Sequence, residues 1–408
     1  MSEYPKRIVC YGCSLLCDDV YIDYNEKKQI FTVNGCFRGD SFLKRYNSEN
    51  RLHYGIQKDM GLFMNVSASE SSVFLTEKVN ESQSIKFYGI GTLSYDSQIS
   101  VMNFAHRLMK QGKLVKFENC ANLIQIITKF GLNTSSIGQA INNADVFIFW
   151  KTDPTHSHPK LVGKLLFTRG LLRSSGKEVK KLILIEAEES DLTRLKDIKI
   201  DDKNYNPSDI VSDLKVLMAS DDVSVVKIDD LDKLNKENLK EYIKATEFGF
   251  IVTMVPFDRD ESHRWFEIIS ELLNLLNNHA LGRFSLLPLT LMPNEMGQSM
   301  AALSIFSADQ IQRLITQDGF ENSDLAIVFG GEYLRDEYKI KDFEYPERTV
   351  ILFDNFKSDI SKRAKITIPY AVPGIEFEDL AIRFDGLNLK LIKWLDPPEE
   401  VWTINKIF

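Results

Sequence analysis

The sequence predicts an α/β protein in which a small antiparallel unit precedes two doubly wound lobes. Three observations support this fold class. Four of the five cysteines lie in the first 36 residues, between short segments of alternating polarity. Beyond them, short apolar runs alternate with stretches of helical spacing. The chain has 408 residues, 44% hydrophobic and 26% charged, which is long enough for several domains of about 100–200 residues each.

The N-terminal unit is predicted over residues 1–52. Within it, Val20–Asp23 and Gln29–Val33 alternate apolar and polar residues, as half-buried strands do. Because the cysteines flank these segments, we expect a small antiparallel sheet wrapped around whatever the thiols bind.

The first lobe is predicted over 53–245. Its strand-like runs are Ile85–Ile90, Leu114–Phe117, Val146–Trp150 and Leu182–Ile185. Apolar residues at helical spacing lie between the first two runs, which together predict a βαβ unit. Asp201–Lys244 is rich in Asp, Lys and Asn, with only short apolar runs, and is expected to be a peripheral excursion.

The second lobe is predicted over 246–408. The same alternation resumes there with Phe250–Val255, Ala326–Gly330 and Val350–Phe353 as strand-like runs. No repeat of fixed period is present, which argues against a solenoid.

Charge and hydropathy exclude several classes of protein. The net charge is −8 and the pI is about 5.5, and Lys and Arg form no basic tract, so nucleic acid is not expected as a partner. No apolar run approaches the roughly 18 residues of a membrane helix, so direct membrane insertion is not expected. The N-terminus lacks a secretory pattern, which favours a cytoplasmic location.

The cysteine spacing predicts a metal site. Cys10, Cys13 and Cys17 lie in one short loop, and Cys36 follows 19 positions later. Three thiolates on one loop plus a remote fourth favour a 4Fe-4S cluster, because zinc sites more often use two paired knuckles. A structural zinc ion and unligated thiols are the alternatives. Gly12 and Gly35 lie beside these ligands, where the backbone can donate N–H groups to sulfur.

Three segments resemble a known family. CYGCSLLCDD, beginning at Cys10, is similar to the opening of the B subunit of formylmethanofuran dehydrogenase, a branch of the molybdopterin oxidoreductase superfamily. FWKTDPTHSHP, beginning at Phe149, resembles the superfamily loop that holds the pterin, with Asp153 where Asn is usual. Ala364–Glu376 and the RFDG segment beginning at Arg383 resemble the end of the same subunit. The resemblance spans the whole chain.

The resemblance implies a set of cofactors and residues. The cofactors are a 4Fe-4S cluster and a bis molybdopterin guanine dinucleotide with tungsten or molybdenum. Cys120, which follows a predicted strand, is implied as catalytic residue and ligand of that metal; a buried core cysteine is the alternative. The residues implied to bind the cofactors are Trp150, Asp153, Pro154, His156, His158, Gly330, Gly331, Asn294, Gly297 and Arg38. The alternatives are that Trp150 is a core residue, that His156 or His158 caps a helix, and that Arg38 is a solvated surface residue.

Three positions depart from the family pattern. Ala121 follows Cys120 where the archaeal enzymes have His, so a proton-transferring neighbour is missing. In the segment Pro288–Gly297, Thr290 and Met292 replace Arg and His, and Thr cannot provide the planar cation that matches a carboxylate. Arg283 or Arg264 would have to supply that charge from elsewhere.

The expected function is that of an oxidoreductase subunit. The resemblance implies interconversion of carbon dioxide and a formyl or formate-level C1 group, with electrons passed through the cluster. An oxidoreductase with an altered substrate and a non-catalytic electron-transfer or scaffold subunit are the alternatives. The chain is expected to lack the C-terminal β-barrel cofactor domain, so a separate β-barrel subunit is implied as partner, beside an amidohydrolase-like subunit and ferredoxin-type carriers.

Overall fold

The computed structural model describes most of the chain. The described residues are 5–24, 30–46, 48–117, 123–124, 127, 134–172, 176–186, 188–201, 203, 206–228, 231–256, 259–316, 323–330, 348–357 and 360–408. In chain order, the strands are β1 Lys6–Ile8, β2 Val20–Tyr24, β3 Ile30–Val33, β4 Gly55–Asp59, β5 Leu62–Val66, β6 Ser84–Tyr88, β7 Leu114–Phe117, β8 Val146–Trp150, β9 Lys181–Ile185, β10 Ile198–Ile200, β11 Phe248–Met254, β12 Arg283–Leu289, β13 Leu325–Phe329, β14 Thr349–Phe353, β15 Ile366–Ile368, β16 Asp379–Ile382 and β17 Asn388–Leu391.

Helices connect most of these strands. The α-helices are α1 Phe37–Arg45, α2 Ala68–Glu81, α3 Tyr95–Lys110, α4 Ile137–Asn143, α5 Pro154–Ser157, α6 Pro207–Ala219, α7 Lys233–Ala245, α8 Arg259–His279, α9 Glu295–Ile305, α10 Ala308–Thr316 and α11 Ile404–Ile407. Short 3-10 helices lie at Ile90–Thr92, Lys177–Val179, Asp191–Leu195 and Val223–Val225, and Gly163–Phe167 is a π-helix. Among the described residues, no helix combines the length and apolar character that crossing a membrane requires.

The N-terminal strands form an antiparallel sheet in the order β1-β2-β3. Residues on one face, including Ile8, Val20, Ile22 and Ile30, are buried, whereas Phe31 and its neighbours on the other face are exposed. This alternation is the pattern from which the sheet is predicted, and the observed strands agree with the predicted segments to within a residue.

Two compact units divide the chain. The first consists of Met1–Ile124, Met292–Arg383 and Leu387–Phe408, and the second of Gln125–Leu291 and Phe384–Gly386. Both contain mainly parallel sheets with helices between the strands, so the mixed α/β class is confirmed. The N-terminal antiparallel sheet belongs to the first unit.

In the described part of the first unit, seven strands form a sheet in the order β5-β4-β15-β14-β13-β6-β7. The strands from β15 to β7 run parallel, and the hairpin β4-β5 adds to the edge in antiparallel fashion. The core packs α3 and α9 against this sheet, around the buried side chains of Phe87, Val101 and Ile327. Near-continuous apolar strands fit a parallel sheet covered on both faces.

In the described part of the second unit, five parallel strands pair in the order β10-β9-β8-β11-β12. Counted along the chain, this is the order 3-2-1-4-5 of the doubly wound nucleotide-binding fold. Every residue of β8 is buried, which explains why Val146–Trp150 has an unbroken apolar sequence.

The division differs from the predicted consecutive lobes 53–245 and 246–408. The first sheet takes β6 and β7 from the first half of the chain and β13, β14 and β15 from the second half. The second sheet joins β8, β9 and β10 to β11 and β12 across the predicted boundary. Periodicity identifies each strand, but it carries no information on which sheet the strand joins.

The predicted excursion Asp201–Lys244 is also different in the structure. It contains α6 and most of α7, and α6 buries Ile210, Leu214 and Leu217 against its surroundings. The charged residues of this segment lie on the solvent side of two amphipathic helices, which is why its composition resembles a peripheral loop.

A buried ion pair stabilises the first unit. The guanidinium of Arg51 donates to both carboxylate oxygens of Glu376, at 2.8 and 3.0 Å, and its other N–H groups reach the Leu52 carbonyl and the Asn355 side chain. Both side chains are nearly inaccessible. The carboxylate also accepts from the Val372 N–H. The pair therefore connects three separate parts of the chain.

Replacing Arg51 tests this pair. Arg51→Ala leaves the Glu376 carboxylate buried without its cation, and we expect the free energy of unfolding to fall by about 3–5 kcal/mol. Urea denaturation measures the change. Arg7→Ala is the control, because Arg7 pairs with Asp18 at the surface, and should change stability by less than about 1 kcal/mol. Equal losses in the two variants would contradict the assignment.

Candidate metal and cofactor sites

The four N-terminal cysteines lie together in the first unit. Cys10, Cys13 and Cys17 are buried in the loop between β1 and β2, while Cys36 is half-buried and caps the N-terminus of α1. The loop is closed by the Cys10 N–H, which donates to the Cys17 carbonyl at 2.8 Å. Leu16 has a φ of 41°, which is the left-handed conformation that a tight turn requires. The loop thus turns three thiols inward.

Backbone N–H groups approach the sulfurs. Gly12 donates to the Cys10 thiol and Leu15 to the Cys13 thiol, and the Gly39 N–H lies 3.4 Å from the Cys36 Sγ. A Cβ atom on Gly39 would lie 2.7 Å from the Cys10 Sγ and 3.8 Å from the Cys36 Sγ. Because Gly39 has no side chain, the thiols of Cys10 and Cys36 can both lie close to its backbone. Gly35, by contrast, leaves space for the Thr32 side chain.

The electrostatics of the loop disfavour free thiolates. Burial raises the pKa of the Cys10 thiol, which the Gly12 N–H counteracts, and the charges of the other three cysteines raise it further. Burial also raises the pKa of Cys13 to about 11, against the N–H of Leu15 and the positive charge of Arg38. A bound cation or cluster would supply the positive charge that makes several thiolates stable here.

Arg38 is half-buried on the first turn of α1, and its charge acts on Cys13. It therefore lies beside the cysteines, as the resemblance implies. Among the residues that the structure describes, no three Cys, His, Asp or Glu side chains converge on a point that could hold a single metal ion. A cubane distributes its four thiolates over separate irons, so its ligands do not need to converge in that way.

In the sheet of the first unit, the order of the strands reverses between β6 and β13. From β6 the chain continues to β7 on one side of the sheet, and from β13 to β14 on the other. Ligands of open α/β sheets bind at the carboxyl ends of the strands at such a point of reversal. The turn Ile90–Thr92 follows β6, and Gly330 follows β13 with a φ of 63°. A Cβ atom on Gly330 would lie 2.8 Å from the Thr92 Oγ1, so the two strand ends pack directly.

Three side chains converge on the carbonyl of Leu93, which follows this turn. The Tyr11 hydroxyl donates to it at 2.7 Å, and the side-chain amides of Gln98 and Asn294 donate at 2.9 Å each. All three are buried. Because Tyr11 is next to Cys10, one hydrogen bond links the cysteine loop to the turn after β6. We call Tyr11, Leu93, Gln98 and Asn294 the Leu93 cluster.

Asn294 has a structural role in this arrangement. Its side-chain amide oxygen accepts from the Ile382 N–H at 2.8 Å, and its backbone N–H donates to the Gly91 carbonyl at 2.9 Å. A side chain on Gly297 would collide with the Asn294 amide. Both residues therefore support the turn, and their contact with a cofactor stays a prediction.

One buried amide at this crevice has no such partner. Gln298 on α9 is 1% exposed, and within the described part of the chain neither its oxygen nor its nitrogen has a hydrogen-bond partner. A Cβ atom on Gly91 would lie 2.9 Å from the Gln298 Oε1. Buried side-chain amides without a partner are uncommon in folded proteins. Sequence analysis misses this residue, because nothing in its neighbours marks it as polar and buried.

In the second unit, the corresponding reversal lies between β8 and β11. Trp150, at the end of β8, is fully buried, which agrees with a core aromatic residue. Lys151 follows with a φ of 46°, and Asp153 caps α5 by accepting from the Thr155 N–H at 2.9 Å. Pro154 is the first residue of that helix. The loop is thus positioned at the ligand-binding edge, with Asp153 holding its shape.

The two histidines of the loop have different environments. His156 is largely exposed, with its Nε2 3.6 Å from an Asp191 carboxylate oxygen. His158 is buried, where its ring packs edge-on against Phe384 and its Nδ1 lies 2.9 Å from the Ser157 hydroxyl. Of the two, His156 is the one whose ring is exposed at the surface of this unit.

Glu186 is a candidate that sequence analysis misses. It directly follows β9, the second strand in the order 3-2-1-4-5, where nucleotide-binding folds place an acidic residue for ribose hydroxyls. Its carboxylate accepts from the hydroxyls of Ser190 and Thr193 at 3.0 Å. The available signal is an acidic residue directly after the apolar run Leu182–Ile185.

Several predicted residues give no support for catalysis. Cys120, Ala121 and Gly331 lie outside the described residues. Thr290 and Met292 are buried. Arg283 begins β12 and packs on the Phe248 ring, so it lies at the amino edge of the sheet, away from the ligand-binding edge. It therefore does not replace the missing arginine, and Arg264 is exposed on α8.

Comparison with known proteins supports the predicted resemblance. No protein-family model matches the chain. The B subunit of the tungsten-containing formylmethanofuran dehydrogenase 2 of Methanocaldococcus jannaschii is 23% identical, and the alignment covers 98% of this chain and 96% of that protein. The chain resembles this formylmethanofuran dehydrogenase subunit over its whole length. The protein of the same name from Methanococcus maripaludis is 21% identical, with 97% and 95% coverage.

Solved structures show the same fold. The formyltransferase/hydrolase complex FhcABCD from Methylorubrum extorquens contains a chain that matches with a TM-score of 0.60 at 13% identity, covering 86% of this chain and 96% of that one. Acetylene hydratase from Pelobacter acetylenicus matches with a TM-score of 0.57 at 10% identity, covering 98% of this chain and 68% of that one.

The role of Asn294 can be separated from cofactor binding by stability. Asn294→Ala leaves the Ile382 N–H without its acceptor, and we expect a loss of about 1–3 kcal/mol in urea denaturation. Tyr11→Phe should lower the free energy of unfolding by less, about 0.5–1.5 kcal/mol, because the Leu93 carbonyl keeps two hydrogen-bond donors. Unchanged stability of Asn294→Ala together with loss of bound cofactor would restore the prediction of a cofactor contact.

Proposed function

We propose that this chain is the cofactor-binding subunit of a tungsten or molybdenum pterin oxidoreductase that interconverts carbon dioxide and a formyl or formate-level C1 group. The observation that carries the proposal is the cysteine loop, joined by one hydrogen bond to the turn after β6, in a chain that resembles the B subunit of formylmethanofuran dehydrogenase end to end. An iron-sulfur protein is the proposed electron acceptor, and the cytoplasm is the proposed location.

The four N-terminal cysteines would hold a 4Fe-4S cluster. The N–H groups of Gly12, Leu15 and Gly39 are directed at sulfurs, and such hydrogen bonds stabilise thiolates and adjust the potential of a cluster. Gly39 has no side chain that would collide with the Cys10 Sγ, so two of the proposed ligands can lie against its backbone. Arg38 adds a positive charge next to Cys13.

Each unit would hold part of a bis pterin guanine dinucleotide at its point of strand reversal. In the second unit, Glu186 would accept hydrogen bonds from ribose hydroxyls, and the backbone after Trp150 would contact phosphate, with His156 beside it. In the first unit, Gly330 permits the close approach of the β13 end to the turn after β6. Gly331 belongs to the same proposed contact.

The bound pterin metal centre would supply the two-electron chemistry at the C1 carbon. Cys120 is proposed as its protein ligand, because soft thiolate suits these metals. The chain's own contribution is to hold the cofactor and to exclude water around it. The proposed partners are a subunit with the β-barrel cofactor domain, an amidohydrolase-like subunit and ferredoxin-type carriers. The relative from Methanocaldococcus jannaschii is itself named as a subunit.

The cluster is tested with the native complex purified without oxygen. We expect about four iron atoms per chain and a paramagnetic signal after reduction. Cys13→Ser should remove both, because one ligand is lost. Ser14→Ala is the matched control beside it and should keep the iron. Full iron content in Cys13→Ser would contradict the proposed ligand set.

The pterin metal is tested in the same preparation. We expect about one tungsten or molybdenum atom per chain. Cys120→Ala should lower metal retention at least about tenfold, since loss of even a hydrogen-bond partner of a metal ligand typically costs about 10–100-fold in affinity. Elemental analysis with iron as internal reference measures this. Unchanged tungsten or molybdenum would exclude Cys120 as ligand.

A second candidate is a non-catalytic subunit that supports formyl transfer. The buried Thr290 and Met292 offer no cation for a carboxylate, and one solved chain of this fold belongs to a formyltransferase/hydrolase complex. Iron without tungsten, molybdenum or pterin in the native complex would favour this candidate. Bound pterin metal with no turnover of formate-level substrates would instead favour an oxidoreductase with an altered substrate.

A further inference from the structure

A cavity of about 420 Å³ lies within the first unit, between the chain that follows α1 and a segment close to the C-terminus. Its volume is in the range of about 300–1,000 Å³ that is typical of small-molecule sites. None of the residues that the resemblance implies for a cluster or a pterin lines it. The cavity therefore has no part in the function proposed above.

Aromatic rings and prolines provide much of the cavity wall. The rings are those of Tyr46, His53 and Tyr54, and Pro397 and Pro398 belong to the C-terminal segment. Tyr54 is 49% exposed, so a ligand can reach its ring from solvent. An apolar chain can pack on these groups, because rings and prolines offer flat surfaces that lose little conformational freedom.

The charges that line the cavity are mainly negative. On its buried side, Arg51 and Glu376 neutralise each other in the ion pair described above. Three further carboxylates line the cavity, and they belong to Asp396, Glu399 and Glu400. Among the described residues, no second Lys or Arg is part of the lining. The lining therefore attracts a cation and repels an anion.

Glu399 is the carboxylate whose charge is most available to a ligand. Asp396 pairs with Lys393 at 2.6 Å, and Glu400 accepts from the Ala68 N–H at 3.0 Å, at the start of α2. These contacts use part of the charge of the two carboxylates within the fold. Glu399 is exposed on the turn between them.

Two observations indicate an organic cation and not a metal ion. The guanidinium carbon of Arg51 lies 5.9 Å from the centre of the Tyr46 ring, so this wall already holds a cation against an aromatic face. In the part of the chain that the structure describes, no three acidic, histidine or cysteine side chains converge on a point that could hold a metal ion. Carboxylates that are spread around aromatic rings match a cation with an extended apolar part.

We infer that this cavity binds a small organic cation in which an ammonium group is carried on an alkyl chain. The ammonium group would pair with the carboxylates, and the methylene groups would pack on the rings and prolines. This inference is independent of the proposed function, because the cavity shares no residue with the cysteine loop or the strand ends.

Calorimetry with putrescine tests the site in the full chain at low salt. We expect a single saturable site, and Glu399→Gln should weaken binding about two- to fivefold, as loss of an exposed ion pair does. Glu378→Gln is the matched control, because it removes the same charge from a carboxylate that pairs with Lys390 and does not line the cavity. The control should bind putrescine as tightly as the unsubstituted chain.

A second variant tests the aromatic wall. Tyr54→Leu keeps every charge and removes one ring, so we expect putrescine binding to weaken about two- to fivefold. Butyrate has the alkyl chain with the opposite charge and should not bind. The native complex should bind putrescine as the full chain does.

Four results would overturn the inference. The first is the absence of saturable binding up to about 10 mM putrescine, well above the range of a specific small-molecule site. The second is an equal affinity of Glu399→Gln and Glu378→Gln, which would show attraction by net charge alone. The third is binding of butyrate as tight as that of putrescine. The fourth is loss of binding in the native complex, which would show that a partner covers the cavity.

Discussion

The carbonyl of Leu93 is the point on which the first unit depends. It accepts hydrogen bonds from Tyr11, Gln98 and Asn294, which come from the cysteine loop, from α3 and from the segment that leads into α9. These three parts of the chain are far apart in sequence, and each is buried where it meets the others. A buried polar network of this kind specifies one arrangement, because any displacement leaves unpaired amides in an apolar interior. The geometry of the cysteine loop relative to the strand-end turn follows from it.

This network also separates residues that support a site from residues that form it. The side chains of Asn294 and Trp150 are used by the fold itself, and Gly297 leaves the space that the Asn294 amide occupies. Glu186 also has its carboxylate bonded within the fold, to the hydroxyls of Ser190 and Thr193, while it follows β9 at the edge where nucleotide-binding folds place such an acid. A sequence motif alone therefore does not separate residues that support a strand end from residues that could contact a ligand there.

Sequence reasoning identifies the strands well and the sheets poorly. Val146–Trp150 is predicted to the residue, because a strand buried on both faces has an unbroken apolar sequence. Leu114–Phe117 is also predicted to the residue, although it is an edge strand with Leu114 exposed. The grouping of strands into consecutive lobes differs from the structure, since pairing between β6 and β13 depends on contacts between distant parts of the chain. The cysteine loop is predictable from spacing alone. Gln298 is not, because its significance lies in the absence of a partner, and only the folded arrangement reveals that.

The interleaving of the two units has a consequence for biosynthesis. Cys36 leaves the ribosome about 260 residues before Asn294, and at roughly 5–20 residues per second the delay is roughly 13–50 seconds. During that time the thiols exist without the Leu93 cluster that positions their loop, and β13 has not yet completed the sheet beside them. The nascent chain therefore carries its four N-terminal thiols first and acquires the side chains that hold their loop last. Any reaction of these thiols before Asn294 emerges takes place without the hydrogen bond that Asn294 donates to the Leu93 carbonyl.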